Sequence, residues 1–500
     1  MTQLTYLQWQ QKATELNING NAYINGEYTQ AISGLTFKCI NPANGECLAE
    51  IARCNKDDVK LAVSIAKQTF ESGVWSRQAP VARKKTLQKF AALLQENAQQ
   101  LALLETLDMG KPISESLNVD IPSAINCVNW YAEAIDKIYD EVAPTPEDQV
   151  AFITREAIGV VAAIVPWNFP LLMGSWKFAP ALAAGNSVIL KPSEKSPLTA
   201  IFIAQLAEEA GLPQGVFQVL PGFGHEVGEA LALSEDVDCL VFTGSTTVGK
   251  RLMEYSGQSN MKRVWVEAGG KSPNIVFADC IDLKKAAEAA AWGCFYNQGE
   301  VCVAGTRLLI EESIKAEFMP LLIAACQDIQ PGDPLDPATS MGAIVDDNQL
   351  NQVLHYIDIG NEQGANIITG GQQSMQQTGG YFLGPTIFDN VDNEMCIAQE
   401  EIFGPVMAVI SFTDAAQAIT IANDSKFGLA AGIWTADLNK SHNVAKALRA
   451  GSVWINNYNG GDMTVPFGGF KQSGNARDKS LHALDKYTEL KTTLIQLEVE

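Results

Sequence analysis

The chain has 500 residues, with 35 Lys and Arg against 57 Asp and Glu, a formal charge of −22, and 47% hydrophobic and 18% charged residues. That is roughly three domain-lengths of globular protein, able to bury a large core without disulfides or structural metals. So acidic a surface repels phosphate backbones and excludes nucleic acid as the first partner to consider.

No apolar run approaches the roughly 18 residues of a membrane span. The best candidate, Ile158 to Val165, stops at Pro166. The first twenty residues lack the basic-then-apolar layout of a signal peptide. Ten cysteines, Cys39 to Cys396, show no CxxC spacing, and four histidines are isolated. Reduced thiols, a cytoplasmic setting and no metal site are therefore expected.

In chain order, Gln149 to Thr154 alternates like a strand and, with Thr492 to Leu497, reads as an arm that pairs with another chain. Ala157 to Val165 reads as a strand, followed by strands at Ser187 to Leu190, Val216 to Leu220 and Cys239 to Phe242. Ala200 to Ala210 reads as an amphipathic helix stopped by Gly211 and Pro213. After Gly269 and Gly270 a second series begins: strands at Ile275 to Phe277 and Arg307 to Ile310, and a helix at Leu283 to Tyr296. Strands at Val406 to Phe412, Ala430 to Thr435 and Ser452 to Asn456 complete it. Apolar strands alternating with helical patterns predict two α/β domains of similar size with mostly parallel sheets.

Several segments could carry chemistry. Cys302 follows a glycine-containing turn after a helix, where a thiol can face a cleft; it is equally the kind of small apolar residue that fills cores. Glu267 ends an apolar strand before two glycines, and burial there would make it a base usable near neutrality; a solvent-facing strand end is the alternative. Thr243-Gly244-Ser245 joins a strand to a helical pattern, a turn whose N–H groups suit a pyrophosphate. Lys191 and Glu194 sit at the carboxyl end of another strand, where open α/β sheets bind ligands. A glutamate there can bond ribose hydroxyls and repel a 2′-phosphate, or the two residues form a solvated charge pair. Asn168, between Trp167 and Phe169-Pro170, is either an oxyanion donor or a turn residue.

Taken together, PWNFP at Pro166, KPSE at Lys191, FTGST at Phe242, EAGGKSP at Glu267, NQGEVC ending at Cys302, EEIFGPV at Glu400 and PFGGFKQSG at Pro466 resemble the NAD(P)-dependent aldehyde dehydrogenase superfamily over essentially the whole chain. The resemblance implies Cys302 as nucleophile, Glu267 as general base and Asn168 as oxyanion donor. It implies cofactor contacts from Pro166, Trp167, Lys191, Glu194, Gly224, Gly244, Ser245, Glu401 and Phe403. Phe169, Met173, Trp176, Tyr296 and Phe467 match pocket-lining positions. Asp120 and Asp462, if at the pocket mouth, would favour a cationic tail; as surface charges they would not.

The implied fold is a Rossmann-like NAD-binding domain (1–139 and 158–267), a catalytic α/β domain (268–470) and oligomerisation arms (140–157 and 485–500), in a homodimer or homotetramer. NAD is the implied cofactor, with NADP less favoured because of Glu194. The chain departs from the family pattern at Ala268 (commonly Leu), Glu300 (commonly Gln) and Ala476-Arg477-Asp478 (commonly Gly-Arg-Glu). Within the superfamily the chain looks most similar to bacterial γ-glutamyl-γ-aminobutyraldehyde dehydrogenases of putrescine breakdown, on EAGGK, on Asn456 to Thr464 and on Asp478 to Leu484. Guanidino-, indole- and aliphatic aldehydes are alternative substrates. A cofactor-independent cysteine esterase and a non-catalytic scaffold are the rival classes, and the intact thiol, carboxylate and carboxamide speak against the second.

Overall fold

The computed structural model describes residues 4–498, so the ends of the expected 1–139 and 485–500 segments lie partly outside the described residues. Two seven-stranded sheets dominate. The first runs Arg263–Ala268, Cys239–Gly244, Val160–Ile164, Ser187–Lys191, Phe217–Val219, Ala22–Ile24, Glu27–Thr29. Its first five strands are parallel and its last two antiparallel. Strand order reverses between Val160–Ile164 and Cys239–Gly244, the switch point where two neighbouring connections diverge and leave a crevice. The central strands Val160–Ile164 and Ser187–Lys191 are buried at every position because helices cover both faces.

The second sheet runs Asn366–Thr369, Thr386–Asp389, Val406–Phe412, Arg307–Glu311, Pro273–Val276, Ala430–Trp434, Ser452–Ile455, parallel except for its first strand. Its core is Ile, Leu, Val and Phe from the strands packed on helices Leu283–Phe295 and Asp347–Glu362.

One expected strand is two. Ala157 to Val165 breaks at Gly159, whose φ of +134° leaves room for Asp238: a Cβ there would lie 2.0 Å from the Asp238 carboxylate, which accepts the Val160 N–H at 2.7 Å. Upstream, Gln149–Ala157 belongs to a separate three-stranded sheet with Glu141–Ala143 and Thr488–Gln496. The two arm segments, expected to pair with another chain, pair with each other, from Thr488 opposite Ala157 to Gln496 opposite Gln149. Thr488–Gln496 is left as an open edge. Among the described residues no helix is long and apolar enough to cross a membrane, and no group of three His, Cys, Asp or Glu could hold a metal ion.

Candidate active site

The cysteine loop begins where helix Leu283–Phe295 ends. Asn297, Gln298 and Gly299 then take left-handed backbone conformations, with φ of 49°, 57° and 71°. Such turns cost of order 1–3 kcal/mol for each non-glycine residue and persist only where neighbours over-determine them. Here they do. Asn297 Nδ2 donates to the Asn168 carbonyl at 3.1 Å, and Gln298 Oε1 accepts the Gly342 N–H at 2.9 Å. A Cβ on Gly299 would stand 2.4 Å from the Gly404 carbonyl, so only glycine closes the turn.

The strained loop delivers Cys302 to a cavity of about 280 Å³ that Asn168 and Glu267 also line. Pro166, Trp167, Gly244, Ser245, Glu401, Phe403 and Phe467 line the same cavity, so groups from six of the seven sequence motifs meet on it. Three glycines make the meeting possible. A Cβ on Gly269 would collide with the Glu401 carboxylate, one on Gly270 would lie 2.7 Å from the Cys302 carbonyl, and one on Gly468 would lie 2.6 Å from Glu267 Oε1. Glu401 Oε1 accepts the Gly270 N–H at 3.0 Å, and Trp167 meets the ring of Phe403 edge-on at 5.2 Å.

Three acids on this cavity are held toward their protonated forms. Burial, with the nearby Glu401 and Glu267 carboxylates, pushes the Cys302 thiol up to about 12. Burial and then Asp478 hold the Glu267 carboxyl well above the usual range, and neither of its oxygens has a hydrogen-bond partner. Burial raises Glu401 to about 7. An electrically positive group entering the cavity would therefore release protons from it, because it favours the ionised form of each of these acids. Asn168 Nδ2 donates to the Glu300 carbonyl at 2.8 Å; an amide carries two N–H donors, and its second is available to a ligand.

Lys191, Glu194 and Gly224 stand apart from that cavity. Lys191 Nζ is buried and bonds Glu194 at 3.3 Å, while a Cβ on Gly224 would meet nothing within 4 Å. The donor, the acceptor and the open glycine fit the hydroxyl-rich, flat adenosine end of a dinucleotide lying across the switch point.

A second cavity, about 630 Å³, opens on the other side of Cys302. Phe169, Tyr296 and Asp120 line it, and Met173, Trp176, Phe467 and Cys302 line both cavities. The thiol is thus the point where two chambers join.

Two charge assignments change. Asp120 lines the second cavity but is fully buried and ion-paired with Lys111, so it is not a free charge at a mouth. Lys111 in turn lies 4.0 Å over the Phe169 ring. Asp462 is exposed and turned onto Thr464, whose N–H and hydroxyl donate to it at 2.8 and 2.6 Å. It does not line the cavity; its neighbours Gly460 and Gly461 do.

In the sequence Asp478 reads as a departure from the family pattern with no assigned role, and Lys177 and Lys486 have none. Asp478 lines the first cavity and accepts from both Lys177 and Lys486, all three buried. Burial alone would raise Asp478, but the two lysines hold it below the usual carboxylate range. The signal for Lys177 is a lone charge in the apolar helix Pro170–Ala184; nothing in sequence marks Lys486.

Fold and site define a two-chambered α/β enzyme with a cysteine at the junction. The aldehyde dehydrogenase family model matches residues 28–493, and the chain belongs to that family, whose members are oxidoreductases acting on aldehydes. It is 56% identical over 490 residues, 98% of each chain, to the NADP/NAD-dependent aldehyde dehydrogenase PuuC of Escherichia coli. It is 63% identical to the P. syringae indole-3-acetaldehyde dehydrogenase AldA, solved with NAD+ and IAA, at a TM-score of 0.98 over 99% of this chain and 100% of that one. A γ-glutamyl-γ-aminobutyraldehyde dehydrogenase from Burkholderia cenocepacia is 56% identical at a TM-score of 0.97, with 99% and 100% covered.

Proposed function

We propose that this aldehyde dehydrogenase uses NAD to oxidise polyamine-derived amino-aldehydes such as γ-glutamyl-γ-aminobutyraldehyde to carboxylic acids. The observation that carries the reading is the junction of two chambers at Cys302, one beside the switch-point crevice and one wide enough for a long tail. Residues 1–139 and 158–267 would bind the cofactor, 268–470 would supply the thiol, and 140–157 with 485–500 would serve as arms.

NAD, when bound, supplies a cationic ring that accepts hydride. Lys191, Glu194, Gly224, Gly244 and Ser245 would hold its adenosine and pyrophosphate, and Glu401, Phe403, Pro166 and Trp167 its riboside end. The Cys302 thiol gives its proton to the Glu267 carboxylate, which relays it to solvent, and the sulfur attacks the aldehyde carbon. Asn168 Nδ2 and the Cys302 N–H donate to the oxyanion; such a donor is worth about 10²–10³ in rate. Once hydride has left, Cys302 carries a thioester. Glu267 then takes a proton from water, the hydroxide displaces the sulfur, and the acid is released. Each step is a task for a residue on the first cavity.

Substrate choice rests on the second cavity. Asp120 Oδ1, on that cavity, has no hydrogen-bond partner. That open acceptor supports an amino tail. A second reading is favoured by the walls: Phe169 stacks on Tyr296 at 6.3 Å and Trp176 packs on Phe467 at 5.1 Å, aromatic surfaces suited to an indole aldehyde. Reduced-nicotinamide absorbance with amino-, guanidino-, indole- and alkyl aldehydes, each with NAD and NADP, tests both. Equal kcat/KM for an amino-aldehyde and an equal-length alkanal removes the amine reading. Glu267→Gln is expected to slow thioester hydrolysis more than hydride transfer, seen as a burst of NADH followed by slow turnover. Ten free cysteines support a reducing, cytoplasmic setting. The open strand Thr488–Gln496, with Leu490 60% and Leu494 58% exposed, supports a homodimer or homotetramer built on that edge, which sedimentation would measure.

A further inference from the structure

Glu300, where the family pattern commonly has Gln, is fully buried and joins three parts of the site. Its carbonyl accepts Asn168 Nδ2 at 2.8 Å and Asn297 Nδ2 at 3.3 Å. Its side-chain Oε1 accepts the Val345 N–H at 3.1 Å. Val345 leads into Asp346, which caps helix Asp347–Glu362 and pairs with Lys195 at 2.8 Å. From that helix Gln349 donates to the Ile402 and Phe403 carbonyls at 3.1 and 2.8 Å. One side chain therefore ties the strained Cys302 loop to the block that seats Phe403 against Trp167.

The chemistry of the clamp depends on its charge. Glu300 Oε2 has no hydrogen-bond partner, and no cation touches the carboxyl. The charged groups facing it are Lys195 and Asp346, paired with each other; the Gln298 amide is the other polar neighbour. Burial disfavours the carboxylate there, and the Val345 N–H, Lys195 and the Gln298 amide offset only part of that cost.

We propose that Glu300, as a neutral acid, is a positioning residue that aims Asn168 and the Cys302 loop, and that its ionisation in alkali releases the clamp. Burial holds its carboxyl well above the ordinary range. The sign follows: a group whose folded value is raised contributes fully below its unfolded value and loses that contribution as pH rises through the folded one. The inference rests on the aldehyde-oxidising reading above.

The test uses the full-length enzyme with NAD and its best aldehyde, comparing the parent with Glu300→Gln and Glu300→Ala. Removing the clamp in Glu300→Ala is expected to lower kcat on the order of 10²-fold, the cost of misplacing a reacting group by about 1 Å. The Kd for NAD, read by fluorescence titration, should move far less. Glu300→Gln keeps the acceptor for Val345 and cannot ionise, so it should recover most of that loss and carry its kcat to higher pH than the parent. Titration of Cys302 is common to both, and the difference between their profiles isolates position 300. Superimposable profiles for parent and Glu300→Gln, or parental kcat in Glu300→Ala, overturn the proposal. If Glu300→Ala does not fold, the Gln comparison decides alone. A parent enzyme that reduces no NAD with any aldehyde overturns the underlying reading instead.

Discussion

The two seven-stranded sheets share an architecture and present opposite ends to the site. The first offers the carboxyl ends of its strands: Pro166 to Asn168 follow Val160–Ile164, Ser245 follows Cys239–Gly244, and Glu267 closes Arg263–Ala268. The second offers amino ends: Cys302 precedes Arg307–Glu311, Glu401 and Phe403 precede Val406–Phe412, and Leu429 precedes Ala430–Trp434. In a parallel sheet the carboxyl end of a strand leads toward a helix N-terminus, with free N–H groups and a positive dipole end. The amino end is reached from a helix C-terminus, as where Leu283–Phe295 feeds the cysteine loop. The first orientation suits an anionic group. The second brings a thiol and a carboxylate to the same cavity. The same fold, turned around, supplies two unlike halves of one site.

The largest effect should come from separating those halves. Cys302→Ala is expected to lower aldehyde oxidation by more than about 10⁴-fold, the scale seen when a covalent nucleophile is removed. It should leave the Kd for NAD, read by titration calorimetry, near the parent value. A tenfold loss of NAD affinity would show that the thiol also helps to hold the cofactor. Next in size is the joint itself. Asp478→Ala strands Lys177 and Lys486 in the interior, and breaking a buried pair costs about 3–5 kcal/mol. A thermal midpoint equal to the parent's would show that these lysines reach water without Asp478. Smaller still, Gly244→Ala puts a Cβ 2.5 Å from the Phe242 ring. The turn or the ring must shift, and the KM for NAD should rise about tenfold, a loss of roughly 1.4 kcal/mol. A change in kcat without a change in that KM would place Gly244 in the chemistry.

Strands were legible wherever burial on both faces makes a continuous apolar run; Val406–Phe412 matches residue for residue. The fused reading of Ala157 to Val165 failed because apolar character continues while the chain passes from the arm to the main sheet, and only Gly159 marks the passage. The arms' alternation was visible but their partner was not, since pairing Gln149 with Gln496 is a long-range choice that local pattern cannot express. In the site, motifs with glycines were readable because close approach removes every other residue. Charge partners were not. Asp120 looked free because Lys111 reaches it only through the packed fold, and Lys486 meets Asp478 only after the segment Leu481–Lys486 turns inward.

The smallest prediction bears on why the cofactor would use one helix N-terminus among several. The helices after the two central strands of the first sheet are already occupied by buried acids. Glu105 Oε2 accepts the Leu171 N–H at 3.2 Å, and Asp108 accepts the Leu198 N–H at 2.9 Å. Helix Thr246–Gln258 starts instead at exposed Ser245, on the first cavity. Burial raises the Glu105 carboxyl to about 8, against the opposing pull of Lys111. Its contribution to stability is therefore complete below the ordinary glutamate value, about 4.3, and disappears as pH rises through about 8. Glu105→Gln keeps an acceptor for Leu171 and cannot ionise. Its thermal midpoint should match the parent's at pH 5 and exceed it by ~2 °C at pH 9. If the midpoint is lower than the parent's at pH 9, Glu105 works as an anion at that helix end, and the contrast between occupied and open N-termini becomes one of charge.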